Sequence, residues 1–266
     1  ILQYTRDRVF AFGITFGGIA TIAGEEREGN GQEPGLRGEV TLTRGGSFSL
    51  EDAEELVVEN AVGDIFVESY RAEIEGTAAG PIVEWSATVS ADETDFDQLQ
   101  IESDVSGLRA SVKTAGEGRV DYRFRVPVGV DLKLENGTGD ITILGHETGT
   151  IVLESGMGDV VVDGARATAL VIAAGVGSVH LRMLETETLV TDVGIGDIVL
   201  DLDPDASATL ALKARLGDVS IDRFPGMIGG VRGFLGKRGD VTLGNGDRRI
   251  ELTVGVGSIE IHVQER

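Results

Sequence analysis

The sequence predicts an all-β fold, a β-solenoid or β-roll of roughly nineteen-residue repeats, and three observations carry that expectation. A short phrase recurs as GTGDITI, GMGDVVV, GVGSVHL, GIGDIVL, RLGDVSI, KRGDVTL and GVGSIEI. The glycine before its Asp or Ser falls at Gly139, Gly158, Gly177, Gly196, Gly217, Gly239 and Gly257, at intervals of 19, 19, 19, 21, 22 and 18 residues. An eighth copy, AVGDIFV, stands at Gly63, 76 residues before Gly139, which is four periods of 19.

The second observation is a set of four apolar columns around each marked glycine. Seven residues before it stand Leu56, Leu132, Ile151, Leu170, Leu189, Leu210 and Ile250, and five before it Val58, Leu134, Leu153, Ile172, Leu212 and Leu252. Two residues after come Ile65, Ile141, Val160, Val179, Ile198, Val219, Val241 and Ile259, and four after come Val67, Ile143, Val162, Leu181, Leu200, Ile221, Leu243 and Ile261. Arg232 and Phe234 stand in the first two columns of the Gly239 copy, and Thr191 in the second column of the Gly196 copy. Alternation at period two with β-branched side chains is a strand pattern, and no copy has room for a helix. Each period therefore reads as strand, tight glycine turn, strand and wider turn, with like residues stacked into one continuous core.

Composition is the third. The chain holds 39 glycines in 266 residues, recurring at turn positions, and no cysteine, so neither a disulfide framework nor thiolate chemistry is available. Forty-five acidic residues against 23 basic ones give a net charge of −22, which disfavours nucleic acid as a partner. Such a surface suits either a protein adapted to high salt or an ordinary acidic protein from an arginine-using genome.

In chain order, residues 1–24 form a hydrophobic N-terminal segment. Its apolar run, Val9 to Gly24, is 16 residues long and follows Arg6 and Arg8, whereas a spanning helix needs about 20. It reads as a membrane or export segment. It reads equally as a docking strand, because Phe10, Phe12, Ile14 and Phe16 alternate with Ala11, Gly13, Thr15 and Gly17. Residues 25–38, EREGNGQEPGLRG among them, read as a glycine-rich acidic linker, and residues 39–266 as the solenoid domain. Between Arg71 and Gly129 the phrase disappears, and VEWSATVSA, LQIESDV, LRASVKTA and VDYRFRVPVGV predict a meander of longer strands holding the single tryptophan, Trp85.

The succession LVVENAVGDIFVE, VEWSATVSA and YRFRVPVGVDLKLENGTGDITI, followed by further GDI-type phrases, resembles the DUF4097 group of bacterial and archaeal candidate adhesins. Related repeats occur in envelope-stress regulators resembling LiaF. The resemblance covers about Glu39 to Val263 and implies a β-solenoid at the cell envelope, often tethered by an N-terminal hydrophobic segment. It carries no catalytic residues.

The residues after the marked glycines, Asp64, Asp140, Asp159, Asp197, Asp218 and Asp240 with Ser178 and Ser258, are expected to stack along one edge. Asp and Ser share the ability to accept backbone N–H bonds, so turn capping is the leading expectation. A Ca²⁺-binding column of Asp140, Asp159, Asp197, Asp218 and Asp240 is the competing one; otherwise no cofactor or metal is expected. A dinucleotide site is excluded because a strand, not a helix, follows each glycine. His146, His180 and His262 fall in different copies, and the outward column Phe66, Thr142, Val161, His180, Val199, Ser220, Thr242 and Glu260 is a poor acid–base groove. The expected function is therefore non-enzymatic, with a polysaccharide-acting β-helix enzyme as the rival class.

Val161 and Val199 on that column predict a covered face, and the loop Asp222–Arg238 offers an apolar, locally cationic patch with Phe224, Met227 and Ile228. The last strand, IEIHV, is expected to leave an open edge at Ile259 and Ile261. With the strand around Phe10–Phe16 this predicts head-to-tail self-association into a filament or surface array, a homopolymer at the cell surface. The alternative is a membrane-anchored envelope domain that binds partners or takes part in stress regulation.

Overall fold

The computed structural model describes residues 26–28, 39–49, 54–71, 82–92, 100–106, 109–116, 118–224, 227–233 and 236–263. The strand expected at Phe10–Phe16 lies outside the described residues. The chain opens with β1 (Glu26–Glu28) and β2 (Glu39–Ser49), so three residues of the stretch read as a linker pair as a strand with Thr41–Thr43. Then follow β3 (Glu55–Val62), β4 (Ile65–Tyr70), β5 (Ile82–Asp92), β6 (Gln100–Ser106), β7 (Arg109–Ala115) and β8 (Arg119–Pro127). The regular array continues as β9 (Asp131–Thr138) and β10 (Ile141–Leu144), β11 (Glu147–Met157) and β12 (Val160–Asp163), β13 (Arg166–Val176) and β14 (Val179–Arg182), and β15 (Glu185–Ile195) and β16 (Ile198–Leu202). The chain closes through β17 (Ala208–Leu216), β18 (Val219–Ile221), β19 (Ile228–Arg232), β20 (Lys237–Leu243), β21 (Arg248–Val256) and β22 (Ile259–Val263).

The fold is the predicted all-β solenoid. Its strands form two eleven-stranded sheets, and each coil contributes one strand to each sheet across a glycine turn. Registers are in step: Leu132, Ile151, Leu170 and Leu189 are successive partners in one sheet, and Ile141, Val160, Val179 and Ile198 in the other. The side chains of all eight are buried, because alternate residues of both sheets face one shared interior.

The order of coils in space differs from the order in sequence, and three expectations are corrected by it. First, β3 pairs with β9 directly and with β7 on its other side, so the Gly63 copy is the immediate neighbour of the Gly139 copy rather than four turns away. The intervening chain leaves the array, adds β5 and β6 as antiparallel strands, and returns as a coil, β7 and β8, that lacks the phrase. Its Tyr122 and Phe124 stack inward with ring centroids 5.5 Å apart, and Trp85 of β5 is buried beside them in the same sheet.

Second, β21 and β22 lie between the β15–β16 and β17–β18 coils. The last strand in sequence is thus an interior strand bonded on both sides, and the open edge expected at Ile259 and Ile261 does not exist. Third, KRGDVTL is not a coil. β20 runs antiparallel to β17 and, with β19, forms a hairpin that covers the end of its sheet. Gly239 consequently lacks the positive φ of the true turn glycines, and Arg232 and Phe234 occupy no core column.

At the wide-turn corner, His146 is fully buried. The Ser69 hydroxyl donates to its Nδ1, and its Nε2–H donates to the Val130 carbonyl at 2.7 Å. Burial lowers its pKa below the ordinary 6.5, with the Val130 bond opposing. Above the unfolded value both states are neutral; below it the unfolded chain takes up a proton that the fold resists, so stability falls as pH drops through about 6.5. In urea titrations at pH 7.5 and pH 5.5, H146N is expected to be less stable at the higher pH and to show a smaller loss on acidification than the parent.

Candidate functional site

The glycine-turn edge is the most regular surface of the molecule, and its geometry follows from close backbone stacking. Gly63, Gly139, Gly158, Gly177, Gly196 and Gly257 all have φ between +123° and +145°. A Cβ on Gly158 would lie 2.1 Å from the Gly139 carbonyl oxygen. Two residues earlier a second column, Gly137, Gly156, Gly175, Gly194 and Gly255, is equally tight, since a Cβ on any of these would fall 2.4–2.5 Å from a carbonyl oxygen of the preceding coil. Both glycines of the phrase are therefore required by the neighbouring coil.

The acceptor column runs in space as Asp121, Asp64, Asp140, Asp159, Ser178, Asp197, Ser258 and Asp218. Each carboxylate caps the next coil rather than its own turn. Asp121 accepts the N–H of Asp64 at 2.8 Å, Asp64 that of Asp140 at 2.9 Å, Asp140 that of Asp159 at 2.8 Å, Asp159 that of Ser178 at 2.7 Å, and Asp197 that of Ser258 at 2.7 Å. Asp218, in the outermost coil, has no further coil to cap and accepts the N–H of its own successor, Val219, at 2.9 Å. Cations close both ends: Arg119 bridges Asp64 and Asp121, and Lys237 pairs with Asp218, holding that carboxyl below its usual range. Asp240 belongs to the antiparallel hairpin and leaves the column.

Magnitudes decide between capping and metal binding. Two carboxylates one strand spacing apart repel by about 1 kcal/mol in water, whereas a hydrogen bond to a charged acceptor contributes about 1.5–3 kcal/mol. The column therefore stands without a cation, and no group of three or more acidic or histidine side chains among the described residues is disposed to hold a metal. D159A, which strands the Ser178 N–H, is expected to cost about 1 kcal/mol. D159N keeps the acceptor and is expected to cost less than half of that, and CaCl₂ is expected to leave the urea midpoint unchanged.

Sequence reasoning missed the residue between the two glycines. In spatial order these positions hold Val62, Thr138, Met157, Val176, Ile195, Val256 and Leu216. The last five are consecutive and apolar, yet 46–58 % exposed. They make a ladder about 19 Å long at one strand spacing per rung. On the core side of the glycines, a shallow trough of about 830 Å³ crosses several coils of the same sheet, floored by the second glycine column and edged by carboxylates.

The residues expected to mediate self-association are not brought together. Phe224 is buried, Met227 packs against the core, and Ile259 and Ile261 are wholly inside it. Only Ile228, 72 % exposed on the outermost strand β19, presents a free apolar side chain. Val161 and Val199 are half-buried on the outer face of their sheet. His180 is exposed, and His262 faces Asp222 and Glu260, so the histidines form no cluster.

These features define the class: a β-solenoid whose parallel coils stack through two glycine columns and whose ends carry antiparallel strands. The chain belongs to the Toastrack DUF4097 family, whose model matches residues 39–262. Its fold is similar to that of a candidate cell adhesion protein from Clostridium sporogenes, 16% identical over 84% of this chain and 99% of that one, with a TM-score of 0.46. A candidate adhesin from Bacteroides fragilis is 12% identical over 83% of this chain and 96% of that one, with a TM-score of 0.42. A candidate lipid binding protein from Parabacteroides distasonis is 11% identical over 82% and 96%, with a TM-score of 0.33. No curated protein matches the chain. No helix among the described residues is long and apolar enough to cross a membrane.

Proposed function

We propose that this protein is a non-enzymatic structural or adhesive protein of the cell surface that associates with copies of itself along the apolar ladder. The observation that supports this reading is the run of five exposed apolar side chains, Met157, Val176, Ile195, Val256 and Leu216, on the most rigidly stacked edge of the molecule. A row of this kind pairs with another of the same spacing, and the contact is lateral, in place of the head-to-tail contact through Ile259 and Ile261. Net charge of −22 opposes association until salt screens it.

Sedimentation velocity of the full chain tests this. Raising salt from about 0.1 M to 1 M shortens the screening length from about 10 Å to 3 Å, and the parent chain is expected to shift to heavier species while V176D/I195D stays monomeric. A parent chain that remains monomeric at every salt and protein concentration contradicts the reading. The second reading, a membrane-anchored envelope domain for partner binding or stress regulation, draws on the apolar run Val9–Gly24. It requires flotation with lipid vesicles that is lost when residues 1–24 are removed.

A further inference from the structure

We propose that the glycine-floored trough binds an aliphatic polyamine, at a site independent of the apolar ladder. Along its edge the outward residues of successive coils are Glu59, Glu135, Glu154, Ala173 and Asp192, each the register partner of the next. Three carboxylates thus stand in a row at one strand spacing, about 4.8 Å. The chain's own amines show the contact such a row makes: Lys113 pairs with Glu59 and Lys133 with Glu135. These pairs are substantially solvent-exposed and contribute about 0–1 kcal/mol, so a ligand amine exchanges with them at little cost. Among the described residues Glu154 and Asp192 carry no ion pair.

A second observation points the same way. Asn60, Asn136 and Ser155 line the trough in the same three coils, and each is more than nine-tenths buried. The Asn60 amide nitrogen donates to the carbonyls of Gly63 and Val120, and that of Asn136 donates to Gly63. Their Oδ1 atoms, turned away from those carbonyls, and the Ser155 Oγ have no partner. Carboxylates and unpartnered amide oxygens are acceptors, and an ammonium group only donates.

Shape narrows the class. The floor is Gly137, Gly156 and Gly175, where no side chain fits, so the trough admits a slim chain lying across the coils. Amines separated by three methylenes are about 5 Å apart when extended, which matches the carboxylate spacing, whereas alternate side chains of an extended peptide are about 6.6 Å apart. A linear triamine therefore sets one ammonium on each of Glu59, Glu135 and Glu154, with its methylenes over the glycines.

Isothermal titration of spermidine into the full chain tests the site. Saturable one-to-one binding is expected, weakened about tenfold or more by E135Q/E154Q through loss of charge-assisted hydrogen bonds. A173R, an exposed substitution that places a guanidinium in the row, is expected to weaken it similarly. D201N/D203N removes the same charge elsewhere and is expected to leave affinity within about twofold, since a screened, distant charge contributes little. Equal weakening by the two double variants, displacement by Mg²⁺ at matched charge as effective as by unlabelled spermidine, or absence of saturation each overturns the proposal.

Discussion

Replacing Gly177 by alanine is expected to lower stability by about 4 kcal/mol. The residue holds φ at +144°, and its new Cβ would stand 2.0 Å from the carbonyl oxygen of Gly158. Neither strain relaxes locally, because that carbonyl belongs to the backbone of the adjacent coil and is flanked above and below by identical turns. A loss of this size is a large share of the roughly 5–15 kcal/mol that holds a typical domain folded. Gly230, at the outermost strand, has nothing within 4 Å of its Cβ position and no positive φ. G230A is expected to be neutral or to stabilise by up to about 1 kcal/mol. Urea denaturation of the two variants measures the contrast, and similar midpoints would mean the coils are not stacked as described.

The second large effect concerns the last strands in sequence. In a solenoid whose final coil is its terminal coil, β21 and β22 would fray and their deletion would merely shorten the array. Here Ile250, Leu252, Val254, Ile259 and Ile261 are buried between two other coils, with ladder bonds on both sides. L252A is therefore expected to cost about 2–5 kcal/mol, the same as L153A in mid-array. Hydrogen exchange provides the direct reading: the Leu252 and Val254 amides are expected to exchange only through global unfolding, whereas a frayed end would exchange at small opening free energies.

The core was legible in the sequence because each coil repeats one alternation and the registers preserve it. The columns through Leu132, Leu134, Ile141 and Ile143 are the interior of the molecule. Thr191, the polar exception in one column, is buried in register with Ile172 and Leu252, its hydroxyl unpartnered. Coil order was not legible, since copies that carry the same phrase fit beside one another equally well; an offset of 76 residues counts periods but not neighbours. The Gly239 copy carried its own warning in Arg232 and Phe234, which an antiparallel hairpin tolerates and a coil does not.

The turn edge was half legible. Asp and Ser alternating at one position indicated an acceptor, and the structure changes only whose N–H it accepts. The apolar ladder stood in plain view as the residue between the two glycines, Met157, Val176, Ile195, Leu216 and Val256, yet a residue at a turn is ordinarily solvated and isolated. It becomes a surface only when the coils place those turns one strand spacing apart. The trough was invisible for the same reason: Glu59, Glu135 and Glu154 are a row only once β3 and β9 are neighbours.

The absence of cysteine allows the central claim, lateral association of one ladder with another, to be tested by a single introduced thiol. Oxidation of I195C at high salt is expected to yield covalent dimers of the full chain, while T168C, exposed at the opposite corner of the neighbouring coil, yields few. Equal dimer yields at the two positions, or none at Ile195, would contradict the account.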